Sequence, residues 1–405
     1  MSPWFTIESM KRTLLILLII LAGAGIMLAI ALYFPNSLPV NSDFSAIYNT
    51  DLALVHRIPI YDLEKVEALA VQYVSIPAED FFLARFPYPP WYALSTFYLG
   101  LMNARSAGTL WFELNLIMLF LSVWLLTDGW SGRMRLIAFP LALFFLPVLG
   151  ALSVGQYDFP VLLGTSLLIY SLRRKSVGLT VLGMVLLTFK PHLGALILLA
   201  GLGWLIYRGG IFGRNVMRPL IVAGVVLFVV GFIADPKWIL SYPKMLLGYQ
   251  NEGNVSACSE CASLPVWISR WFFDGSLTTA MWIAIDLLIF FIVAFILTRS
   301  LWKPHELLLT AALLVTLLVS PYLYNYDFLM LLVPFAVLIP KSNLMEKIIV
   351  FLCYLIPTFA LIIFGRNGNI SLITVSIILL VLLYMRARIF VIDFTLSEAY
   401  NTNNN

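Results

Sequence analysis

Long apolar stretches follow one another along nearly the whole chain, and short polar segments separate them. A bilayer core about 30 Å thick requires roughly 20 mostly apolar residues per helix. Inside lipid the backbone can satisfy its hydrogen bonds only in helices or closed barrels. The pattern therefore predicts an all-α polytopic membrane protein, a bundle of about 12 transmembrane helices forming a single domain over residues 1–405. The predicted spans are residues 13–34, 107–127, 134–150, 159–172, 176–189, 192–207, 217–234, 277–298, 304–320, 327–340, 346–364 and 370–386.

Two connections between the predicted spans are long, and long connections are often functional. The first extracytoplasmic loop covers residues 35–106, and the second covers residues 235–276. In the first loop, Asp62 could cap an amphipathic helix that lies on the membrane surface. The shared face of that helix would consist of Leu63, Val66, Ala70 and Tyr73.

Residues 89–103 leave two interpretations open. The segment is apolar, but it is short for a span and begins with two prolines. Counted as a span, it would invert the orientation of every later helix. As a re-entrant element it would keep both of its ends outside, which is tolerable where protein covers the backbone.

Basic residues favour the re-entrant interpretation, because short cytoplasmic loops retain Lys and Arg. With residues 89–103 re-entrant, most of the 25 basic residues lie on the side of both termini, including the Arg-Arg-Lys cluster at 173–175. If residues 89–103 crossed the membrane instead, most of the basic residues would lie outside. We therefore expect a multi-pass protein of the plasma (inner) membrane with both termini cytoplasmic and residues 387–405 as a cytoplasmic tail.

The composition agrees with a polytopic membrane protein and argues against a nucleic-acid partner. Hydrophobic residues make up 61% of the chain, charged residues make up 11%, and the mean hydropathy is +0.95, far from the values of soluble domains. The net charge of +4 is scattered between apolar stretches. Because it is not gathered on one soluble face, we expect no nucleic-acid partner.

The three cysteines are too few for a disulfide scaffold. Cys353 lies in an apolar run, where a buried and inert thiol is expected. Cys258 and Cys261 lie in a polar loop, and half a zinc knuckle would need a second pair of ligands that the sequence does not supply at usable spacing. A local disulfide and two free thiols both remain open, and we expect no metal and no cofactor.

Unusual polar residues recur at the predicted outer ends of several different spans. The topology derived from basic residues elsewhere places all of these groups on one side of the membrane. Ionisable side chains at membrane depth are costly and usually face a cavity or a partner, which predicts a shared site on the outer side. The groups are Asp43, then Gly155, Gln156 and Asp158, then Lys190, Pro191 and His192, then Pro321, Tyr322, Tyr324, Asn325, Tyr326 and Asp327.

Each of these groups also has an ordinary structural interpretation. Asp43 could be a solvated loop carboxylate. Gln156 and Asp158 could cap helix ends, and Lys190 could extend its ammonium to the membrane surface. His192 has no second ligand at metal spacing, and the nearby tyrosines could form an interfacial aromatic belt. Only the coincidence of all groups on one side favours a site.

The same residues carry a resemblance to a known family. The chain resembles the GT-C glycosyltransferase superfamily over roughly residues 40–335, and within it the polyprenyl-phosphate-mannose-dependent branch called glycosyltransferase family 87. The matching motifs are Asp43-Phe-Ser-Ala-Ile-Tyr48, Pro59-Ile-Tyr-Asp62, Tyr88-Pro-Pro90, Gly155-Gln156, Phe189-Lys-Pro-His192 and Ser320-Pro-Tyr-Leu-Tyr-Asn-Tyr-Asp327.

The resemblance implies a helical bundle with its active site just above the outer membrane surface. The donor would be a polyprenyl-phosphate sugar, with mannose as the expected sugar, and the acceptor a lipid or glycan; no nucleotide sugar is used directly. Asp43 matches the position of the family's catalytic aspartate. In one departure, several family members carry histidine near the position of Tyr326. The other candidate substrate-binding residues are Tyr48, Tyr88, Asp158, His192, Tyr324, Asn325 and Asp327.

The chemistry of these residue types fits sugar transfer. A sugar hydroxyl is a poor nucleophile, and a carboxylate such as Asp43 can remove its proton during an attack that inverts the anomeric carbon. The phosphate leaving group needs only a positive or hydrogen-bonding site for its developing charge. Lys190 is the candidate cation, with Gln156 and Tyr326 as hydrogen-bond donors to the donor phosphate.

A polytopic transporter or flippase for lipids or lipid-linked sugars is the main alternative. Transporters commonly show internal repeats and interrupted helices in paired positions. Here one long outer loop instead carries the distinctive residues. A third interpretation is an assembly factor that keeps the fold without the chemistry, against which an intact Asp43 argues.

Overall fold

The computed structural model describes residues 42–74, 85–251, 261–299 and 302–403. Every secondary-structure element assigned within these ranges is a helix, which confirms the predicted all-α class. The predicted first span, residues 13–34, lies outside the described residues.

Seventeen α-helices follow one another in the described ranges, and short 3₁₀ helices connect some of them. The α-helices are α1 (Asp43–Val55), α2 (Leu63–Val74), α3 (Pro90–Thr96), α4 (Ala104–Leu126), α5 (Gly132–Leu143), α6 (Leu146–Ser153), α7 (Asp158–Arg174), α8 (Val177–Leu187), α9 (Pro191–Arg208), α10 (Gly210–Ala234), α11 (Trp238–Asn251), α12 (Leu264–Phe272), α13 (Leu277–Leu297), α14 (His305–Val319), α15 (Leu332–Leu338), α16 (Leu344–Phe364) and α17 (Ile370–Asn403). The 3₁₀ helices are Phe97–Leu101, Asn325–Leu331, Ile339–Lys341 and Gly365–Asn369.

Five helical runs in the described ranges are long and apolar enough to cross a membrane, or six if α5 and α6 count as one bent span. The runs that form α10 and α13 are apolar, yet only 11% of the most apolar 18-residue stretch of each run is buried inside the protein. Apolar surface of this extent requires lipid around it, so the chain is an integral membrane protein. The prediction of about 12 spans stays a prediction. The five runs are Ala104–Leu126, Pro191–Arg208, Gly210–Ala234, Leu277–Leu297 and Leu344–Ile389, the last of which contains α16 and the first part of α17.

The predicted span at residues 134–150 is bent in the structure. Its two halves, α5 and α6, meet at an angle of 56°. Pro140 lies inside α5, and Pro147 lies in the first turn of α6. Proline lacks the backbone N–H that continues a helix, so the direction changes between the two prolines. The bend brings α6 against the 3₁₀ helix Asn325–Leu331.

The centre of the bundle is α7, which packs against α4, α8 and α14. Its hydroxyl side chains are satisfied locally, because Thr165 and Ser166 donate to the carbonyl groups four residues before them. Gly164 on α7 and Gly183 on α8 allow a close approach. A Cβ atom on either would lie 2.8 Å from the other's carbonyl oxygen. Small residues at helix contacts serve this purpose in membrane bundles.

Residues 89–103 form α3, the 3₁₀ helix Phe97–Leu101 and the start of a connection to α4. Their helical length is about 20 Å, short of the roughly 30 Å that a bilayer core requires. The segment is covered by protein, since α3 contacts α1 and α10. A Cβ atom at Gly100 would lie 2.4 Å from the backbone of Asp51, so only glycine fits there. These features support the re-entrant interpretation, which stays a prediction.

The outer loop and the C-terminus differ in how closely they follow the sequence pattern. The expected surface helix is α2, on which Val66 and Ala70 are buried while Tyr73 is 47% exposed. At the other end of the chain, α17 continues to Asn403 instead of ending near residue 386. The expected tail therefore begins as helix in this structure.

Two cysteines belong to the described residues. Cys261 is disulfide-bonded, whereas Cys353 on α16 carries a buried free thiol, as its apolar surroundings predict. Cys258 lies outside the described residues.

Candidate functional site

A buried ion-paired triad lies where three segments meet at one end of α7. Lys190 Nζ is 2.5 Å from Asp158 Oδ1 and 2.5 Å from Asp327 Oδ1. The three side chains are 2%, 0% and 1% exposed, respectively. Asp158 is the first residue of α7, Lys190 directly precedes Pro191 at the start of α9, and Asp327 belongs to the 3₁₀ helix Asn325–Leu331. The triad ties these segments together.

The charge of Lys190 is stabilised by its two partners. Desolvation by burial alone would lower the pKa of the Lys190 ammonium, but Asp158 and Asp327 outweigh this effect and raise the pKa above its ordinary value. Asp327 Oδ2 also accepts a hydrogen bond from the backbone N–H of Tyr324 at 2.7 Å. Lys190 therefore stays protonated within its surroundings.

Asp43 lies beside the triad at the first turn of α1. Gln156 Nε2 donates a hydrogen bond to Asp43 Oδ2 at 2.8 Å, and the Tyr326 hydroxyl donates another to the same carboxylate. Gln156 Oε1 accepts from the backbone N–H of Tyr157 at 2.8 Å, which fixes the amide with its NH₂ group toward Asp43. The Tyr157 hydroxyl in turn donates to the Asp43 carbonyl oxygen at 2.5 Å. The carboxylate is thus held in one orientation.

The environment of Asp43 makes its carboxylate more basic than usual. Burial raises the pKa of the Asp43 carboxyl above its ordinary value, and the charge of Asp327 acts in the same direction. Lys190 and the hydrogen bonds from Tyr326 and Gln156 act in the opposite direction without cancelling the effect. A carboxylate with a raised pKa accepts a proton more readily, which suits a general base.

Aromatic side chains surround these polar groups. Tyr326 stacks on Tyr324 with ring centroids 5.2 Å apart, and Lys190 Nζ lies 5.8 Å from the centroid of the Tyr326 ring. Tyr88 packs against Tyr157 at 4.5 Å and stacks on His192 at 6.5 Å. Tyr88, His192 and Tyr324 are therefore neighbours of these polar groups, and their expected roles in substrate binding stay predictions.

Tyr48 is placed differently from the other candidates. It lies on α1, one and a half turns beyond Asp43, and only 2% of it is exposed. Its hydroxyl donates to the Met102 carbonyl oxygen at 3.0 Å. This contact ties α1 to the end of the 3₁₀ helix Phe97–Leu101. The substrate role expected for Tyr48 stays a prediction.

A cavity of about 370 Å³ adjoins the site, within the range of small-molecule pockets. Tyr326 belongs to its wall, so the cavity begins one side chain away from the Asp43 carboxylate. Asn325, which is exposed, also faces it. Among the described residues, the lining consists of Leu146, Pro147, Gly150, Tyr324, Asn325, Tyr326, Leu361, Gly365, Arg366 and Asn369.

Sequence reasoning overlooked three residues of this region. Tyr157 stands inside the polar group from Gly155 to Asp158, but it was not among the candidate residues. Arg366 and Asn369 belong to the short polar run Gly365–Asn369, which connects the predicted spans at 346–364 and 370–386 and was given no role. Its content of one cation and two asparagines in five residues was the available signal.

The model of glycosyltransferase family 87 matches residues 86–321, more than half of the 405-residue chain. The chain belongs to glycosyltransferase family 87. This confirms the resemblance inferred from the sequence motifs. No curated protein matches the chain, and no solved structure matches it.

Family 87 membership makes the protein a glycosyltransferase, which has a sugar donor and an acceptor as substrates. Gln156, Asp158 and Lys190 lie within the matched residues, whereas Asp43 and Tyr326 lie outside them. The residues inside and outside the match nevertheless form one site, since Gln156 and Tyr326 both donate hydrogen bonds to the Asp43 carboxylate. Among the described residues, no group of three potential ligands is arranged to hold a metal ion.

Proposed function

We propose that this glycosyltransferase moves a sugar, mannose in our assignment, from a polyprenyl-phosphate donor to a lipid or glycan acceptor with inversion at the anomeric carbon. The observation that carries the proposal is the Asp43 carboxylate, which Gln156 and Tyr326 orient, and Tyr326 also lines the neighbouring cavity. The polyprenyl donor and the identity of the sugar rest on the family resemblance.

The proposed reaction is a single displacement. The acceptor hydroxyl oxygen attacks the anomeric carbon while Asp43 takes the hydroxyl proton. The bond between the anomeric carbon and the phosphate oxygen breaks, and its electron pair stays on the phosphate. One carboxylate suffices, because a phosphate leaving group needs no proton from a general acid. Asp43 then returns its proton to solvent.

The triad supports this reaction through position and charge. Lys190 holds Asp158 and Asp327, and Asp327 in turn fixes the backbone of Tyr324. Its positive charge also lowers the pKa of Asp43, which limits the rise caused by burial. A direct contact between Lys190 and the donor phosphate stays a prediction.

We place the site on the extracytoplasmic side of the membrane. Arg173 and Arg174 end α7, and they form ion pairs with Glu306 at 2.7 Å and Asp128 at 2.9 Å. Asp158 begins the same helix, about 25 Å away for its 17 residues. Because basic clusters stay cytoplasmic, the opposite end of α7 supports an outer-side site.

Transfer in proteoliposomes tests the proposal. Purified protein, polyprenyl-phosphate mannose labelled in the sugar, and a mixture of candidate lipid acceptors should yield a new labelled glycolipid together with free polyprenyl phosphate. A nucleotide-linked mannose supplied instead should yield none. Label that crosses the bilayer without entering a new product would contradict transfer and identify a flippase.

A further inference from the structure

The cavity beside Asp43 is formed by three segments distant in sequence. Leu146, Pro147 and Gly150 of α6 form one wall, and Tyr324–Tyr326 form the second. The third wall is the 3₁₀ turn Gly365–Asn369 between α16 and α17. Gly365 adopts a φ of 53° with a ψ of −126°, a conformation that suits glycine and directs the chain back over the cavity.

Of the described residues that line the cavity, Arg366 is the charged one, and amide side chains lie in the same lining. Asn369 is 3% exposed and faces the cavity from the same turn. Asn325 adds an amide from the opposite wall, which Tyr324 and Tyr326 also line. A guanidinium with nearby amide donors binds a phosphate oxygen pair well, because its planar fork donates two parallel hydrogen bonds.

The cavity is connected to the reacting carboxylate through Tyr326. Its side chain lines the cavity, while its hydroxyl donates to Asp43. The other cation near this site, Lys190, is 2% exposed and is paired with both Asp158 and Asp327. The cavity-facing cation is therefore Arg366 rather than Lys190.

We infer that Arg366, assisted by Asn369, binds the phosphate of the polyprenyl carrier. The inference rests on the proposed function. During transfer the carrier changes from a phosphodiester with one negative charge to a phosphate monoester with up to two. A cation at this position therefore gains interaction as the bond to the sugar breaks, which stabilises the transition state and binds the released carrier tightly.

Binding of the released carrier tests Arg366 without requiring turnover. The probes are a short-chain polyprenyl monophosphate and the corresponding polyprenol, which has the same chain and no phosphate. Arg366→Gln should weaken monophosphate binding by roughly 10- to 100-fold, the loss of a charged hydrogen-bonded contact. Polyprenol binding should stay unchanged, and Arg366→Lys should recover part of the loss. Arg105→Ala, an exposed arginine at the start of α4 outside the cavity lining, should bind both probes as the wild type does.

The outcomes separate the inference from the proposed function. If the wild type transfers sugar but Arg366→Gln binds the monophosphate as tightly as the wild type does, the inference is overturned and the proposed function stands. If the wild type neither transfers sugar nor binds the monophosphate, the proposed function fails and the inference fails with it. Should Arg366→Gln lose polyprenol binding as well, Arg366→Lys decides: wild-type polyprenol affinity with partly recovered monophosphate affinity supports the phosphate contact, and equal loss for both probes overturns it.

Discussion

Asp43→Asn should lower the turnover rate by roughly 10²- to 10⁴-fold, the contribution of a positioned general base. Asparagine keeps the size of the side chain and an oxygen that can accept the hydrogen bond from Gln156. It cannot take the proton of the acceptor hydroxyl. The thermal unfolding temperature should therefore stay close to that of the wild type while transfer is lost.

The pH dependence of transfer should identify the same group. Burial raises the pKa of Asp43, so the basic form is lost at a higher pH than for an ordinary aspartate. As the pH falls through this raised pKa, the wild-type rate should decrease. The residual rate of Asp43→Asn should lack this acidic limb, because the titrating group is gone.

A matched carboxylate provides the control for Asp43. Asp62 belongs to the same predicted outer loop, but its side chain is partly exposed and bonds the Lys65 ammonium at 2.6 Å. Asp62→Asn should transfer sugar at nearly the wild-type rate. Activity of Asp43→Asn within a few-fold of the wild type, in protein that unfolds normally, would remove Asp43 from the mechanism.

Lys190→Met should destabilise the protein by about 3–5 kcal/mol, the usual cost of removing one partner from a buried ion pair. The change leaves Asp158 and Asp327 buried near each other without their common cation. We expect a lower unfolding temperature in detergent and a lower yield. The exposed Lys244 on α11 is the control, since Lys244→Met should change neither quantity appreciably.

Neutralising the carboxylates should rescue the loss of the lysine. The triple variant Lys190→Met, Asp158→Asn, Asp327→Asn contains no buried charge in the triad and should recover much of the unfolding temperature. Normal stability of Lys190→Met together with impaired donor use would instead favour direct phosphate binding by the lysine. In that case Lys190→Met would unfold as the wild type does but would show a strongly raised donor KM.

The hydrophobic pattern predicted the central helices well. The expected spans at 159–172 and 176–189 correspond closely to α7 and α8, because each is a continuous apolar run between polar residues. The bend between α5 and α6 was not predicted. Two prolines in one apolar run indicate where a helix weakens, but the direction of the bend depends on packing against other segments.

The site was predicted as a group of residues but not as a set of contacts. Asp158, Lys190 and Asp327 were expected on one side of the membrane, since topology alone determines the side. Their pairing was not predicted, because the residues are 32 and 137 positions apart and only the folded bundle brings them within hydrogen-bond distance. The same reason explains why Lys190 appeared available for phosphate.

The role of the turn Gly365–Asn369 could not be predicted from its own sequence. A short polar connection between two apolar runs is ordinary in a membrane protein. Its position over the cavity depends on how α16 and α17 pack against α6 and the segment Asn325–Leu331. Arg366 therefore became a candidate only in the folded structure.

The configuration of the transferred sugar is the most direct test of the central claim that one carboxylate, Asp43, drives a single displacement. The product glycolipid from the wild-type reaction can be isolated and the configuration of its new anomeric carbon determined by NMR, with the donor as reference. Inversion relative to the donor is the predicted result. Retention would contradict the account, because a single displacement from the face opposite the leaving phosphate must invert the anomeric carbon.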